Sequence, residues 1–366
     1  MKPLDSRNGT EAAESERHGC LSLITSRREF LKSAVAIGAS AALPASGLAA
    51  SFASTPASQA GRIDVHSHVT PPILIETVGA GPLGVVAKWT PEKALEAMDD
   101  SGVATAMLSV PPHFDPSTVD RIARPSNEYT ARLAIDHPGR FGVLAFLPMP
   151  HVDATLREIE YSFDTLKVHG VGMYTNYGDK WLGDPAFNPV FEELDRRRAV
   201  VFTHPITANC CKNLLPGIND GIIEWQTDTS RAIAQMVFGG AAGRYSNVRM
   251  IWSHGGGTMP FLVERFTNTA KSSRFAPMFP QGFTPVAAKF YYDTAQVANS
   301  AAMSALTKVV PVSQIVFGTD YPYGTMAAEV QGLKECGALS ATDLQKIDRE
   351  NSLVLFPQME TFTPRQ

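Results

Sequence analysis

Arg62-Ile63-Asp64-Val65-His66-Ser67-His68 is the stretch on which the fold turns. Its first residues read as a short β-branched strand, and two histidines spaced one residue apart stand where that strand ends. Three later segments repeat the arrangement: Thr203-His204-Pro205, Ser253-His254-Gly255-Gly256-Gly257 and Gly318-Thr319-Asp320-Tyr321-Pro322 each close an apolar run. Imidazoles and a carboxylate delivered from the ends of separate rigid strands are what a divalent metal needs. His66, His68, His204 and Asp320 are the candidate ligands, and His254 is left free for proton transfer.

Working outward, strand and helix signals alternate along the chain. Strands are expected at 62–65, 105–110, 141–147, 171–174, 199–203, 249–252, 290–292 and 315–317. Between them lie a helix over 91–101 opened by Thr90-Pro91, one over 127–136, and one capped by Asp153 with Leu156, Ile159, Phe163 and Leu166 on its apolar face. Further helices are expected over 189–198, 229–238, 258–269 and 301–309. Such alternation closes naturally into a (β/α)8 TIM barrel, with an open doubly wound sheet as the alternative that counting alone leaves. The histidine and aspartate motifs fall at the C-terminal ends of strands one, five, six and eight, the active face of a barrel. No glycine-rich dinucleotide fingerprint follows strand one to favour the open sheet.

The first 50 residues read as a leader. Ser26-Arg27-Arg28-Glu29-Phe30-Leu31-Lys32 precedes an uncharged, small-residue stretch over 34–50, the twin-arginine export pattern. The expected organisation is a signal over 1–50, a linker over 51–61, a catalytic barrel over 62–356 and a tail over 357–366. The twin-arginine translocation machinery would carry the folded protein to a periplasmic or secreted location. Charged residues make up 19% of the chain and the net charge is −4, which speaks against nucleic acid as a partner. Arg196-Arg197-Arg198 follows Glu192-Glu193 and reads as a solvated helix end. Once the leader with Cys20 is removed, Cys210, Cys211 and Cys336 remain, too few and odd in number for a disulfide framework.

The ordered set HxH, HP, HGGG and GTDYP resembles the amidohydrolase superfamily. Within it the chain is similar to the branch of non-oxidative decarboxylases that includes the α-amino-β-carboxymuconate-ε-semialdehyde, γ-resorcylate and 6-methylsalicylate enzymes. The match covers about 62–356, essentially the whole mature chain. Binuclear hydrolases of the superfamily bridge two metals with a carboxylated lysine at the end of strand four. Here that strand ends Gly172-Met173-Tyr174-Thr175, and Lys167 lies before it. The resemblance therefore implies one divalent ion held by His66, His68, His204 and Asp320, with zinc expected and manganese the alternative.

By the same resemblance His254 is the catalytic histidine, with Asp320 the other candidate proton donor. Arg265, eleven positions after His254, matches an arginine that binds the substrate carboxylate across a dimer interface, which implies a homodimer. A salicylate-like aromatic carboxylate is the expected substrate, because Gly-Gly-Gly-Thr-Met-Pro-Phe after His254 is closest to the 6-methylsalicylate group. Metal-assisted hydrolysis of a lactone, ester or amide is the alternative reaction. His113, after strand two, and Trp89 are further candidates for contact with substrate. Trp181 could line an aromatic pocket, whereas His137, His151 and His169 read as capping or surface residues.

Overall fold

The computed structural model describes residues 61–113 and 115–360. The expected signal over 1–50, all but the last residue of the expected linker over 51–61, and the end of the tail lie outside these residues. Eight strands form one parallel sheet in strict chain order. They are β1 (Arg62–His68), β2 (Val103–Ser109), β3 (Phe141–Phe146), β4 (Gly170–Tyr174), β5 (Val200–His204), β6 (Arg249–Trp252), β7 (Tyr291–Asp293) and β8 (Ile315–Val316). Val65 N–H donates to Phe317 O at 2.9 Å and His68 N–H to Tyr321 O at 2.8 Å, so β1 and the segment after β8 complete the ring. The strands are buried on both faces because each faces helices outside and the barrel interior within.

The longest helix after each strand is, in order, α1 (Pro91–Ser101), α2 (Val119–Asp136), α3 (Val152–Tyr161), α4 (Asn188–Arg196), α5 (Glu224–Phe238), α6 (Met259–Ala270), α7 (Ser300–Val309) and α8 (Met326–Glu335). α1 obeys its sequence signals: Thr90 accepts from Lys93 N–H at 3.3 Å, Pro91 opens the first turn, and Gly102 closes it in the left-handed region. α2 starts well before residue 127, because Pro125 sits inside a helix whose first turns bury Val119, Ile122 and Ala123. Asp153 is not the cap of α3. His151 occupies that position, and Asp153 lies in the first turn, where its charge meets the positive end of the helix dipole. α8 had no counterpart among the expected helices; Thr325 caps it by accepting from Ala328 N–H at 3.3 Å.

Two apolar layers result. The outer one lies between the strands and helices, with Met98, Ile122, Ile159, Phe191, Ile233 and Met303 all buried. The inner one fills the lower barrel with Ile63, Val65, Met107, Leu144, Phe202, Ile251 and Val316, floored by Leu355, Phe356 and Met359. Burying one such side chain stabilises the fold by about 1.5–3 kcal/mol. Met359 thus belongs to the core, although it falls in the segment expected as a tail.

Candidate metal and catalytic site

Above that apolar filling the barrel turns polar. β1 supplies His66 and His68, β5 supplies His204, the turn after β6 supplies His254 and the loop after β8 supplies Asp320, all buried. Asp320 Oδ1 lies 3.1 Å from His66 Nε2, 3.0 Å from His68 Nε2 and 3.7 Å from His204 Nε2. Its other oxygen, Oδ2, faces His254 Nε2 at 3.4 Å and accepts from the Gln296 carboxamide. One ligand atom each from His66, His204, His254 and Asp320 lie within 4.8 Å of one another. His68 reaches Asp320 from the edge of that set, with its Nδ1 3.2 Å from Ser109 Oγ.

The hydrogen-bond pattern fits a cation. His204 Nδ1 stands 2.8 Å from Pro205 O, and a carbonyl only accepts, so Nδ1 carries the hydrogen and Nε2 presents a lone pair to the centre. His66 Nδ1 is tied in the same way to Asp293 Oδ2 at 2.8 Å. The Nε2 atoms of both rings are buried and make no hydrogen bond among the described residues. Buried lone pairs aimed at a carboxylate oxygen carry a desolvation cost that a divalent ion would offset, so these residues suit one.

Charge follows geometry. Burial pulls the His204 imidazole down to about 3 and also lowers that of His68, keeping both neutral and able to ligate. For His66 burial acts in the same direction, but the carboxylates of Asp293 and Asp320 outweigh it and raise the ring to about 10. Burial opposes ionisation of Asp320 too, yet His66, His204 and His254 hold its carboxyl well below the ordinary range.

The backbone is strained where the site is built. His254 (φ 53°), Gln296 (φ 56°) and Asp320 (φ 58°) all sit in the left-handed region that few non-glycine residues adopt. The glycines after His254 answer a space requirement. A Cβ at Gly257 would lie 2.1 Å from Gln226 O, and one at Gly256 would lie 2.9 Å from the Tyr292 ring.

The other candidates are placed as follows. His113 is half-buried in the loop after β2, its N–H donating to Tyr174 Oη at 3.1 Å, and burial lowers its imidazole. Trp89 is buried and its indole N–H has no partner among the described residues. Arg265 is exposed on α6, one turn from Phe261, which is 73% exposed. Trp181 is committed elsewhere, donating to Asp228 Oδ1 at 2.6 Å. Cys210 and Cys211 touch each other at 2.7 Å but stand outside the ligand set, and all three described cysteines are free.

Several site residues had not been singled out. Asp293, at the end of β7, holds His66 through Oδ2 and the His254 N–H through Oδ1 at 2.8 Å. Gln296 holds Asp320, Trp225 meets the His204 ring edge-on at 5.5 Å, and Tyr323 meets His68 at 5.5 Å. The usable signal was Tyr291-Tyr292-Asp293: a carboxylate closing an apolar strand, as in the other motifs.

A family model described as amidohydrolase matches residues 63–358. A decarboxylase of Aspergillus niger, yanB, is 33% identical over 82% of this chain and 88% of its own length. The 6-methylsalicylic acid decarboxylase of Penicillium expansum is 30% identical over 82% of this chain and 97% of its own. Among solved structures, a dihydroxybenzoic acid decarboxylase of Polaromonas with bound manganese and 2-nitroresorcinol superposes with a TM-score of 0.67. At 18% identity it covers 82% of this chain and 99% of that one, and it shares the fold.

Proposed function

The chain belongs to the amidohydrolase family, and from that premise we propose that it is a metal-dependent, non-oxidative decarboxylase of a small aromatic, salicylate-like acid. The observation that carries the reading is the division of labour at Asp320. Oδ1 faces three imidazole Nε2 atoms, while Oδ2 is paired with His254. One carboxylate so placed serves an ion and a proton donor together. The relatives named as decarboxylases, one of them for 6-methylsalicylic acid, support the reaction and the substrate class.

His66, His68, His204 and Asp320 would hold one divalent ion, zinc by its imidazole-rich donor set, with the manganese of the Polaromonas structure marking the alternative. β4 ends at Tyr174 without a lysine, which supports a single ion. When bound, the ion supplies Lewis-acid polarisation of the substrate's hydroxyl and carboxylate oxygens. Departure of carbon dioxide requires the ring carbon bearing the carboxylate to gain a proton first. His254 Nε2 and Asp320 Oδ2, 3.4 Å apart, would hold that proton between them. Gln296 and Asp293 orient the pair from opposite sides, through the Asp320 side chain and the His254 backbone.

The substrate carboxylate would meet Arg265 from the partner of a homodimer, a reading supported by the exposed Arg265 and Phe261 on α6. His113 and the unpartnered Trp89 N–H would complete the substrate contacts. Export through the twin-arginine route rests on Ser26–Lys32 and the uncharged stretch after it. The test is incubation of metal-loaded protein with hydroxybenzoates and small lactones, reading carbon dioxide and hydrolysis in parallel. Carbon dioxide from a salicylate-like acid, lost in His254→Ala, is the expected result. Hydrolysis without carbon dioxide would move the protein to the lactonase or esterase class.

A further inference from the structure

Three glycines face the barrel interior from β3 and β4, and they differ in what fills the space they leave. A Cβ at Gly142 would lie 2.3 Å from Met107 Sδ, and one at Gly170 would lie 2.6 Å from Val200 O. Those two glycines are packed against. At Gly172 the nearest atoms would be Ser109 Cβ at 3.6 Å and Ala145 O at 4.0 Å, ordinary contact distances with room beyond. Gly172 is also partly accessible in the middle of a strand whose other residues are buried.

The space in front of it is a small cavity lined by Ser109, Leu144, Phe146, Tyr174, Phe202 and His204. Register explains its level: Gly172 pairs with Phe202, and two residues higher Tyr174 pairs with His204. The cavity therefore lies one layer beneath the ligands. It adjoins them through His204 and through Ser109, whose Oγ is 3.2 Å from His68 Nδ1. Its walls are hydrocarbon apart from the groups already engaged. The Tyr174 hydroxyl donates to Pro111 O at 2.9 Å, and His204 Nδ1 is spent on Pro205 O. A charged or hydroxyl group entering there would lose hydration with nothing to replace it, whereas a methyl group would not.

We infer that this cavity receives an apolar, methyl-sized substituent of the substrate ring, and that Gly172 sets the size it accepts. The inference rests on the aromatic-acid reading above and narrows it to ring-alkylated acids. Because Gly172 does not need a positive φ, it can be replaced without backbone strain.

Wild type, Gly172→Ala and Gly172→Val, each metal-loaded, are compared on 2-hydroxy-6-methylbenzoate and 2-hydroxybenzoate. The wild type prefers the methylated acid, and Gly172→Ala lowers the kcat/KM ratio about tenfold, as loss of one methyl subsite does, with unsubstituted acid changing less than about threefold. Gly172→Val removes the preference; if it fails to fold, the alanine variant decides. An unchanged ratio, equal losses on both acids, or a wild-type preference for the unsubstituted acid would overturn the inference. Should the wild type release no carbon dioxide at all, the decarboxylase reading falls. The same ratio, taken from Kd values by intrinsic fluorescence, still decides the cavity.

Discussion

The same strands build two chemically opposite regions a few residues apart. In the lower barrel Val65, Ile251 and Val316 lie buried over Leu355, Phe356 and Met359, an apolar cluster. At the upper rim His66, His204 and His254 crowd around Asp320, with two Nε2 atoms lacking hydrogen bonds and three non-glycine residues in the left-handed region. The lower layer contributes stability through burial. The upper layer costs stability and is held in place by the lower one, together with Asp293 and Gln296. The lesson is that the site carries strained backbone and unsatisfied polar atoms of its own, and the rigid apolar plug beneath makes them tolerable.

The sharpest way to separate the regions is to delete one partner in each. Asp320→Ala should abolish metal binding and lower turnover by about three orders of magnitude or more, because both the ligand and the proton partner go together. Metal analysis of the purified variant alongside its activity checks this. Phe356→Ala should do the reverse, costing about 3–5 kcal/mol and roughly 10 °C in Tm. Its metal content and low-temperature kcat should stay near wild type. Similar effects of both changes on melting and metal content would dissolve the distinction.

A smaller effect is expected behind the rim. Asp293→Asn keeps the shape of the contact to His66 but removes its charge, and metal affinity should fall about 10–100-fold in a chelator competition. Retained affinity with lost turnover would instead assign Asp293 to the His254 backbone contact.

The smallest effect is a pH arm on the opposite side of the barrel. His169 Nδ1 accepts from Val143 N–H at 3.0 Å, just before β4, and burial lowers its imidazole to about 4. A histidine whose folded value lies below its ordinary 6.5 contributes stability that is present above pH 6.5 and lost as pH falls towards 4. The loss is at most about 3 kcal/mol, and His169→Gln should flatten it in melting curves across that window without changing metal content.

Much of this was legible in the chain. The strand-then-ligand motifs at His66, His204, His254 and Asp320 could be read because each closes an apolar run, and the structure brings all four together. Helix α1 was legible because its cap and terminator are local chemistry. What stayed hidden depended on distant partners. Asp293 ends a strand of only three residues, and its role exists through contacts with His66 and His254 far away in sequence. Gln296 becomes a site residue through the course of its loop, and Trp225 through its place in the first turn of α5. α2 was expected only from Asn127, whereas tertiary burial of Val119, Ile122 and Ala123 carries the helix through Pro125. The cavity at Gly172 needed the register of β4 against β5.

Stoichiometric reconstitution decides whether the protein works as a single-ion decarboxylase. Metal-free protein is titrated with zinc, and in parallel with manganese, while carbon dioxide release from 2-hydroxy-6-methylbenzoate is recorded. Activity should rise linearly and saturate at one ion per chain. Saturation at two ions, or hydrolysis of lactones with no carbon dioxide at any metal loading, would contradict it.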